Sequence, residues 1–430
     1  MKRAVITGAG FVSPFGAGKD IYRNNIFSGV SASRLITSFD ASSFPTRFAA
    51  DVPLYGSGLD ELIENQKSLK TMSRAAKFAV IAADEAFIQS GLTADNINPY
   101  RFGTSVGSGG LGLNDTDYME ELVKLLTGLK AGNENEYSGL WYRTSKSIHP
   151  LTPLKALPNI PTAQIAIKYN SRGDCLTVTT ACTSSAQAIG EAYRKIKFGL
   201  LDAVVCGGSD SMITPFGLSA FSILGVISKN NEEYKTACRP FDKTRDGFMI
   251  GEGAAMYILE ELEHCKKRGG NPLAEIAGYS STNDAYRLTD EPPDAAGSVN
   301  AMKAALDDAG INPEEIDYIN AHGTGTRMND KTETFAIKSV FGKQAYGIPV
   351  SSTKSMTGHL VASAGAMELG ACLFAVLNDI IPPTINYNAR DVDCDLDYVP
   401  NFAREEKVRT VLSNSFGFGG QNACLIIKKI

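Results

Sequence analysis

Ten short apolar runs punctuate the chain, and they constrain its fold more than any other feature. Five lie in the first half, at residues 4–7, 102–106, 175–179, 203–206 and 255–259; five lie in the second, at 274–279, 316–320, 348–352, 411–414 and 423–427. Runs of that length read as buried strands. Helical stretches separate many of them, at 74–90, 184–198, 298–309 and 360–377. Strands alternating with helices predict an α/β protein whose parallel sheets carry helices on their faces. At 430 residues the chain exceeds one ordinary core, so two domains or two copies of one fold are expected. The halves echo each other: 175–179 leads through Thr180-Ala181-Cys182 into a helix rich in small residues, and 348–352 leads through Lys354 to Gly358-His359 and a similar helix. The charged, flexible stretch Lys266-Lys267-Arg268-Gly269-Gly270 marks the divide, giving units 1–268 and 269–430. Residues 114–161, with Tyr118, Tyr137, Trp141 and Tyr142, fit no compact core. They read either as a surface insertion or as an excursion that covers a pocket or meets a partner subunit.

Composition removes several classes of function. A formal net charge of −5 leaves no basic surplus to neutralise nucleic-acid phosphates. No stretch approaches the ~18 uninterrupted apolar residues of a membrane span. The eight cysteines are scattered without a C-x-x-C pair, which suits a reduced, cytoplasmic setting and gives a metal site no support. Thr7-Gly8-Ala9-Gly10 invites a dinucleotide-binding reading, but the third glycine is missing and Pro14 interrupts the expected helix start, so an oxidoreductase is a weak alternative.

Four places carry chemistry. Cys182 sits between a strand and a helix opening Thr183-Ser184-Ser185, where unsatisfied amides and the helix dipole favour a thiolate nucleophile. The competing reading is a small buried thiol. His322, in Asn320-Ala321-His322-Gly323-Thr324-Gly325-Thr326, and His359, in Lys354-Ser355-Met356-Thr357-Gly358-His359, both stand where a strand gives way to a glycine turn. Ligand sites collect there in α/β sheets, although a structural histidine is the alternative for either alone. Lys354 and Glu368 form a candidate buried ion pair, because Glu368 sits in an otherwise small and apolar helix; an exposed face is the other reading. Ser413-Asn414-Ser415-Phe416-Gly417-Phe418-Gly419-Gly420 joins two strands, as a hairpin turn or as an aromatic gate.

In combination and order, these motifs resemble the type II β-ketoacyl-acyl carrier protein synthases of the thiolase-like family; Pro240-Phe241-Asp242 with Arg245-Asp246-Gly247-Phe248 adds a fifth block. The resemblance implies an α/β fold of two similar halves, layered α-β-α-β-α. It implies that Cys182 takes the acyl chain. His322 and His359 would hold the enolate formed as malonyl thioester loses CO2. The amides of Cys182 and Phe418 would form an oxyanion hole. Thr324 and Thr326 would contact the phosphopantetheine arm, Lys354 and Glu368 would support the histidines, and Phe416 and Phe418 would gate the acyl pocket. No cofactor is implied. The implied partners are an acyl carrier protein and, in a dimer, an identical chain or a chain-length factor.

Lys67 and Lys70 match positions where relatives carry cations that dock the carrier protein, and Arg74 crowds the same segment. A solvated basic face is the competing reading. Three features depart from the family: a short loop at Gly107-Ser108-Gly109-Gly110-Leu111, the long 114–161 segment, and Gly225 where relatives often have arginine. The 322–330 segment and Cys394-Asp395-Leu396-Asp397-Tyr398 resemble polyketide ketosynthase subunits, while 352–359 and 414–420 resemble the fatty acid elongation enzyme. A chain-length factor, which shares the fold but lacks the nucleophile, is the non-enzyme alternative; Cys182 with both histidines argues against it.

Overall fold

A computed structural model describes residues 1–54, 57–109, 139, 142, 146 and 150–430. The aromatic-rich 114–161 segment, with Tyr118, Tyr137 and Trp141, falls mostly outside the described residues; its end forms a helical turn at Thr152–Lys155 and enters the helix Ile160–Lys168.

Ten strands form one continuous sheet path. In the first half they are β1 Ala4–Ser13, β2 Phe102–Ser108, β3 Cys175–Val178, β4 Ala203–Asp210 and β5 Gly253–Glu261. The second half supplies β6 Ala274–Asn283, β7 Tyr318–Asn320, β8 Val350–Ser351, β9 Thr410–Gly417 and β10 Gln421–Lys428. Their order is β8-β7-β9-β10-β6-β1-β5-β4-β2-β3. The two sets of five pair alike. β2 runs parallel to β3 and β4, β4 antiparallel to β5, and β5 antiparallel to β1. In the same way β7 runs parallel to β8 and β9, β9 antiparallel to β10, and β10 antiparallel to β6. The sets join where Ala4–Ile6 of β1 meets residues 274–276 of β6. The sheet is therefore mixed rather than wholly parallel. A crossover helix enforces parallel pairing only in the outer strands, whereas a turn as short as Phe418-Gly419-Gly420 permits only an antiparallel hairpin.

The helices that matter are α1 Arg74–Ser90, α2 Ile160–Lys168, α3 Ser184–Lys197, α4 Pro215–Leu224, α5 Ala296–Ala309, α6 Arg327–Phe341 and α7 Ala364–Asn378. α1 and α2 cover the outer face of the first half, α5 and α6 that of the second, and α3 and α7 pack against each other between them. This is the expected α-β-α-β-α layering. α3 is amphipathic: Ala188, Ile189, Ala192, Tyr193 and Ile196 face the core, and Arg194, Lys195 and Lys197 sit at the negative end of its dipole. Every residue of α7 from Ala364 to Val376 is buried. Among the described residues, Val361–Asn378 alone is helical, long and apolar enough to cross a membrane, and 89% of it is buried inside the protein as a core element.

β1 runs through Gly8 and Gly10 without a turn. A Cβ at either glycine would lie 2.0 Å from a carbonyl oxygen of α1, at Ala86 and Ala82. These glycines admit a helix against a strand and do not cradle a phosphate. All eight cysteines are free thiols.

Candidate active site

β3 ends at Val178, and the chain turns sharply into α3 through the 3-10 turn Ala181–Thr183. Ala181 adopts φ +50, a left-handed conformation that costs an alanine about 1 kcal/mol or more. Side-chain hydroxyls hold it there. Thr183 Oγ1 donates to Thr180 O at 2.8 Å, Ser184 Oγ donates to Ala181 O at 2.7 Å, and Thr180 N–H donates to Ser184 Oγ at 2.8 Å. The turn presents Cys182 to the end of the sheet, 7% exposed. The second half repeats the device: Val361 takes φ +47 and Val361–Ser363 leads into α7. Asp210, at the end of β4, accepts the Ala362 N–H at 3.0 Å and the Ser211 N–H at 2.9 Å. Burial pushes its carboxyl up to about 7 against those two bonds.

Both predicted histidines reach this thiol. His359 Nε2 lies 3.0 Å from Cys182 Sγ, and its Nδ1 accepts the Val361 N–H at 3.3 Å. His322 follows β7, its ring centroid 5.4 Å from that of His359. Lys354 Nζ donates to His322 O at 2.6 Å and lies 3.3 Å from His322 Nδ1. With each Nδ1 accepting, each imidazole carries its proton on Nε2. Burial, with the Lys354 charge adding to it, holds both rings well below the usual histidine range, so they are neutral at pH 7. Lys354 forms the predicted buried ion pair with Glu368. Burial pushes the Glu368 carboxyl up to about 7, opposed by Lys354.

The expected thiolate is not the resting form. Burial pushes the Cys182 thiol up to about 12, opposed by the Lys354 charge and a hydrogen bond from the Phe418 amide. A helix start favours negative charge, but a sulfur removed from water loses more by desolvation. The Sγ and ring-nitrogen atoms of Cys182, His322 and His359 all lie within 4.8 Å of one another, a spacing that would also suit a metal. The Lys354 ammonium on His322 works against a divalent cation there.

Cys182, His322 and His359 line a cavity of about 440 Å3 whose wall includes Thr324, Thr326, Phe416 and Phe418. The exposed side chains of Ile223, Leu224, Leu288 and Met328 form its apolar rim. Thr324 and Thr326 share a hydrogen bond of 2.9 Å between their hydroxyls. Asp330 holds their loop by accepting the Gly325 N–H at 3.1 Å, and Arg245 donates to Thr326 O at 3.3 Å. The Pro240–Phe248 block thus shapes the threonine loop through Arg245 and the Phe241 N–H, which donates to Asp330 at 2.7 Å. Phe416 is buried 6.0 Å from His322, ring to ring, and Phe418 sits at the hairpin tip.

The third docking candidate is tied into the protein. Arg74 is built into the protein: its guanidinium donates to Glu252 at 2.6 Å and to the carbonyls of Val52 and Leu54 at 2.9 and 3.0 Å. Most of its N–H groups are engaged within the protein, and its side chain is 30% exposed. Lys67 and Lys70 are exposed around the 3-10 turn Ser68–Thr71. Gly225 caps α4 at φ +69, a conformation that favours glycine over arginine.

Sequence reasoning missed Glu333. Its carboxylate accepts the His322 N–H at 2.8 Å and the Gly323 N–H at 2.7 Å, and Asn414 Nδ2 adds a third bond at 3.2 Å. Nothing in the charged run of α6 distinguishes Glu333 from a surface glutamate; only its total burial does.

Fold and site define a thiolase-like protein with a buried acceptor thiol flanked by two N–H-bearing imidazoles. The sequence matches the family profiles "Beta-ketoacyl synthase, N-terminal domain" over residues 1–265 and "Beta-ketoacyl synthase, C-terminal domain" over 273–388. The chain belongs to the β-ketoacyl synthase family. It is 41% identical to 3-oxoacyl-[acyl-carrier-protein] synthase 2 of Coxiella burnetii, over 100% of this chain and 99% of that protein. It is 38% identical to the tetracenomycin polyketide synthase ketoacyl synthase alpha subunit of Streptomyces glaucescens, over 100% and 97%. Among solved structures, the ishigamide ketosynthase/chain length factor superposes with a TM-score of 0.88 at 34% identity, covering 100% of this chain and 99% of that one. A type II polyketide ketosynthase bound to the hexaketide, in complex with its acyl-carrier protein, gives 0.87 at 33%, covering both chains fully.

Proposed function

We propose that this chain catalyses the decarboxylative Claisen condensation of malonyl-acyl carrier protein with an acyl group held on Cys182, in fatty acid or type II polyketide elongation. The Cys182 sulfur attacks the acyl thioester, and its proton leaves with the displaced carrier-protein thiol. Malonyl-carrier protein then enters. CO2 departs and its bonding pair stays on the α-carbon, with negative charge on the thioester oxygen. The Nε2–H groups of His322 and His359 donate to that oxygen. Preorganised donors in a dry site stabilise such charge by about 3–4 kcal/mol per donor removed. The carbanion attacks the acyl carbonyl, the amides of Cys182 and Phe418 receive the tetrahedral oxyanion, and the Cys182 thiolate leaves and takes up one proton per turnover. Lys354 is a positioning residue that fixes the His322 tautomer, and Glu368 compensates its charge.

One observation carries this reading: His359 Nε2 and the Phe418 amide converge on Cys182 Sγ at the floor of a cavity. Thr324 and Thr326 on its wall are the contacts for the phosphopantetheine arm, Phe416 and Phe418 its gate, and Lys67 and Lys70 the outer docking cations. The protein works as a dimer, with an identical chain or a chain-length factor; the open edge strand β3, with Cys175 and Leu176 exposed, supports this. The repeated strand pairing supports units 1–268 and 269–430, and eight free thiols support a cytoplasmic setting. The test is the mass of the acyl group trapped on Cys182 after incubation with a mixed acyl-carrier-protein pool. Acyl groups on Cys206 or Cys424 instead, or on no cysteine, would overturn the assignment.

A further inference from the structure

The segment from Asp284 to Pro293, between β6 and α5, walls one side of the same cavity and carries a carboxyl that the reaction above does not use. Two backbone bonds pin it to the β9–β10 turn. Asp284 N–H donates to Gly420 O at 2.7 Å, and Gly419 N–H donates to Leu288 O at 2.7 Å. That turn also carries the Phe418 amide facing Cys182. Glu291 comes next, directly before Pro292-Pro293. The first proline confines Glu291 to extended backbone, and the two rings fix the φ angles that follow, so its side chain leaves from a stiff base.

Glu291 lines the cavity with Cys182, His322 and Thr324. Its Oε2 is shut off from solvent and has no hydrogen-bond partner among the described residues. A buried polar atom left unpaired costs stability and calls for an explanation. Among the described residues, the charges that act on it are all carboxylates. Burial raises the carboxyl well above the usual range, and Glu333, Asp284 and Asp330 push it the same way. All of this favours the protonated form, which has one O–H to donate and one C=O to accept.

We propose that Glu291 is a specificity anchor for the thioester arm, its carboxyl hydrogen-bonding an amide of a pantetheine-type arm on the way to Cys182. This rests on reading the cavity as the thioester channel. A neutral carboxyl matches a secondary amide on both sides, O–H to C=O and C=O to N–H. An ionised carboxylate would accept only. Thr324 and Thr326 offer hydroxyls, so Glu291 supplies the one carboxyl contact among these three.

The test compares the rate of Cys182 acylation by two small substrates, a butyryl-pantetheine thioester, which carries amides, and a butyryl ethyl thioester, which carries none. Glu291→Leu removes both hydrogen-bonding groups and should raise KM for the pantetheine thioester about tenfold, the worth of one buried hydrogen bond. The loss should vanish on the ethyl thioester. Glu291→Gln, which keeps a donor and an acceptor, should restore the pantetheine KM to within about threefold of wild type. Equal losses of Glu291→Leu on both substrates, or an unchanged KM on both, would overturn the anchor. So would a Glu291→Gln variant as poor as Glu291→Leu. A wild-type protein that neither thioester acylates on Cys182 would instead sink the parent reading, and the anchor with it.

Discussion

Replacing Glu333 with glutamine keeps the side chain's shape and removes one of its two acceptors. In the native protein Oε1 takes the His322 N–H at 2.8 Å and Oε2 takes the Gly323 N–H at 2.7 Å. Whichever way a glutamine amide turns, its NH2 must point at one of those backbone donors. At least one buried N–H is then unpaired, which costs about 1–3 kcal/mol, and the surviving bonds lose their charge assistance. Relief of the buried charge works in the other direction, since burial pushes the Glu333 carboxyl up to about 7. The net destabilisation at pH 8 should be about 1–3 kcal/mol, read as a lower urea midpoint at unchanged m-value. The functional effect should be selective. The backbone that carries the His322 imidazole loses an anchor, so CO2 release from malonyl-carrier protein should slow about tenfold or more, part of the effect of losing one donor outright. Acylation of Cys182, which sits on the Ala181–Thr183 turn, should fall less than threefold by mass spectrometry. This role for Glu333 fails if urea midpoint and CO2 release both match wild type. It fails equally if acylation and CO2 release drop in parallel, because the carboxylate would then support the whole site and not His322.

Four further outcomes are expected. With its thiol pushed up to about 12, Cys182 should be alkylated by iodoacetamide at a rate that keeps rising through pH 9, and a plateau below pH 8 would restore the thiolate reading. His322 and His359 titrate below their unfolded range. Their neutral forms therefore stabilise the fold fully above pH ~6.5, and that contribution is lost as pH falls toward the folded values. A His322→Gln, His359→Gln double variant should lose stability less steeply between pH 6.5 and 5 than wild type; identical slopes in urea titrations count against it. Gly10→Ala drives a methyl to within 2.0 Å of Ala82 O and should lower Tm by several degrees, while added nucleotide should shift the Tm of neither wild type nor variant; a nucleotide-dependent rise in wild type that the variant loses would restore the phosphate reading. Charge reversal at Lys67 and Lys70 together should raise KM for acyl-carrier protein in a salt-sensitive way and leave a pantetheine thioester unaffected; equal loss on both substrates removes them from docking.

Local chemistry was legible in the sequence because it is written in consecutive residues. A strand, a tight turn of small hydroxyl residues and a helix are encoded within about twenty positions, and that is enough to locate Cys182, His322 and His359 at strand ends. The Lys354–Glu368 pair was legible for a related reason: a carboxylate inside an apolar helix needs a cation. Distant pairings left no such trace. Arg74 reads as a docking cation until the fold brings Glu252 to it across 178 residues of chain. The antiparallel centre of the sheet follows from how β1 meets β5 and β6, elements that share no local pattern. The proton on Cys182 was also out of reach. Sequence shows a helix start that favours negative charge, but the opposing desolvation depends on how much water the assembled layers exclude, and that quantity exists only once both halves have closed over the thiol.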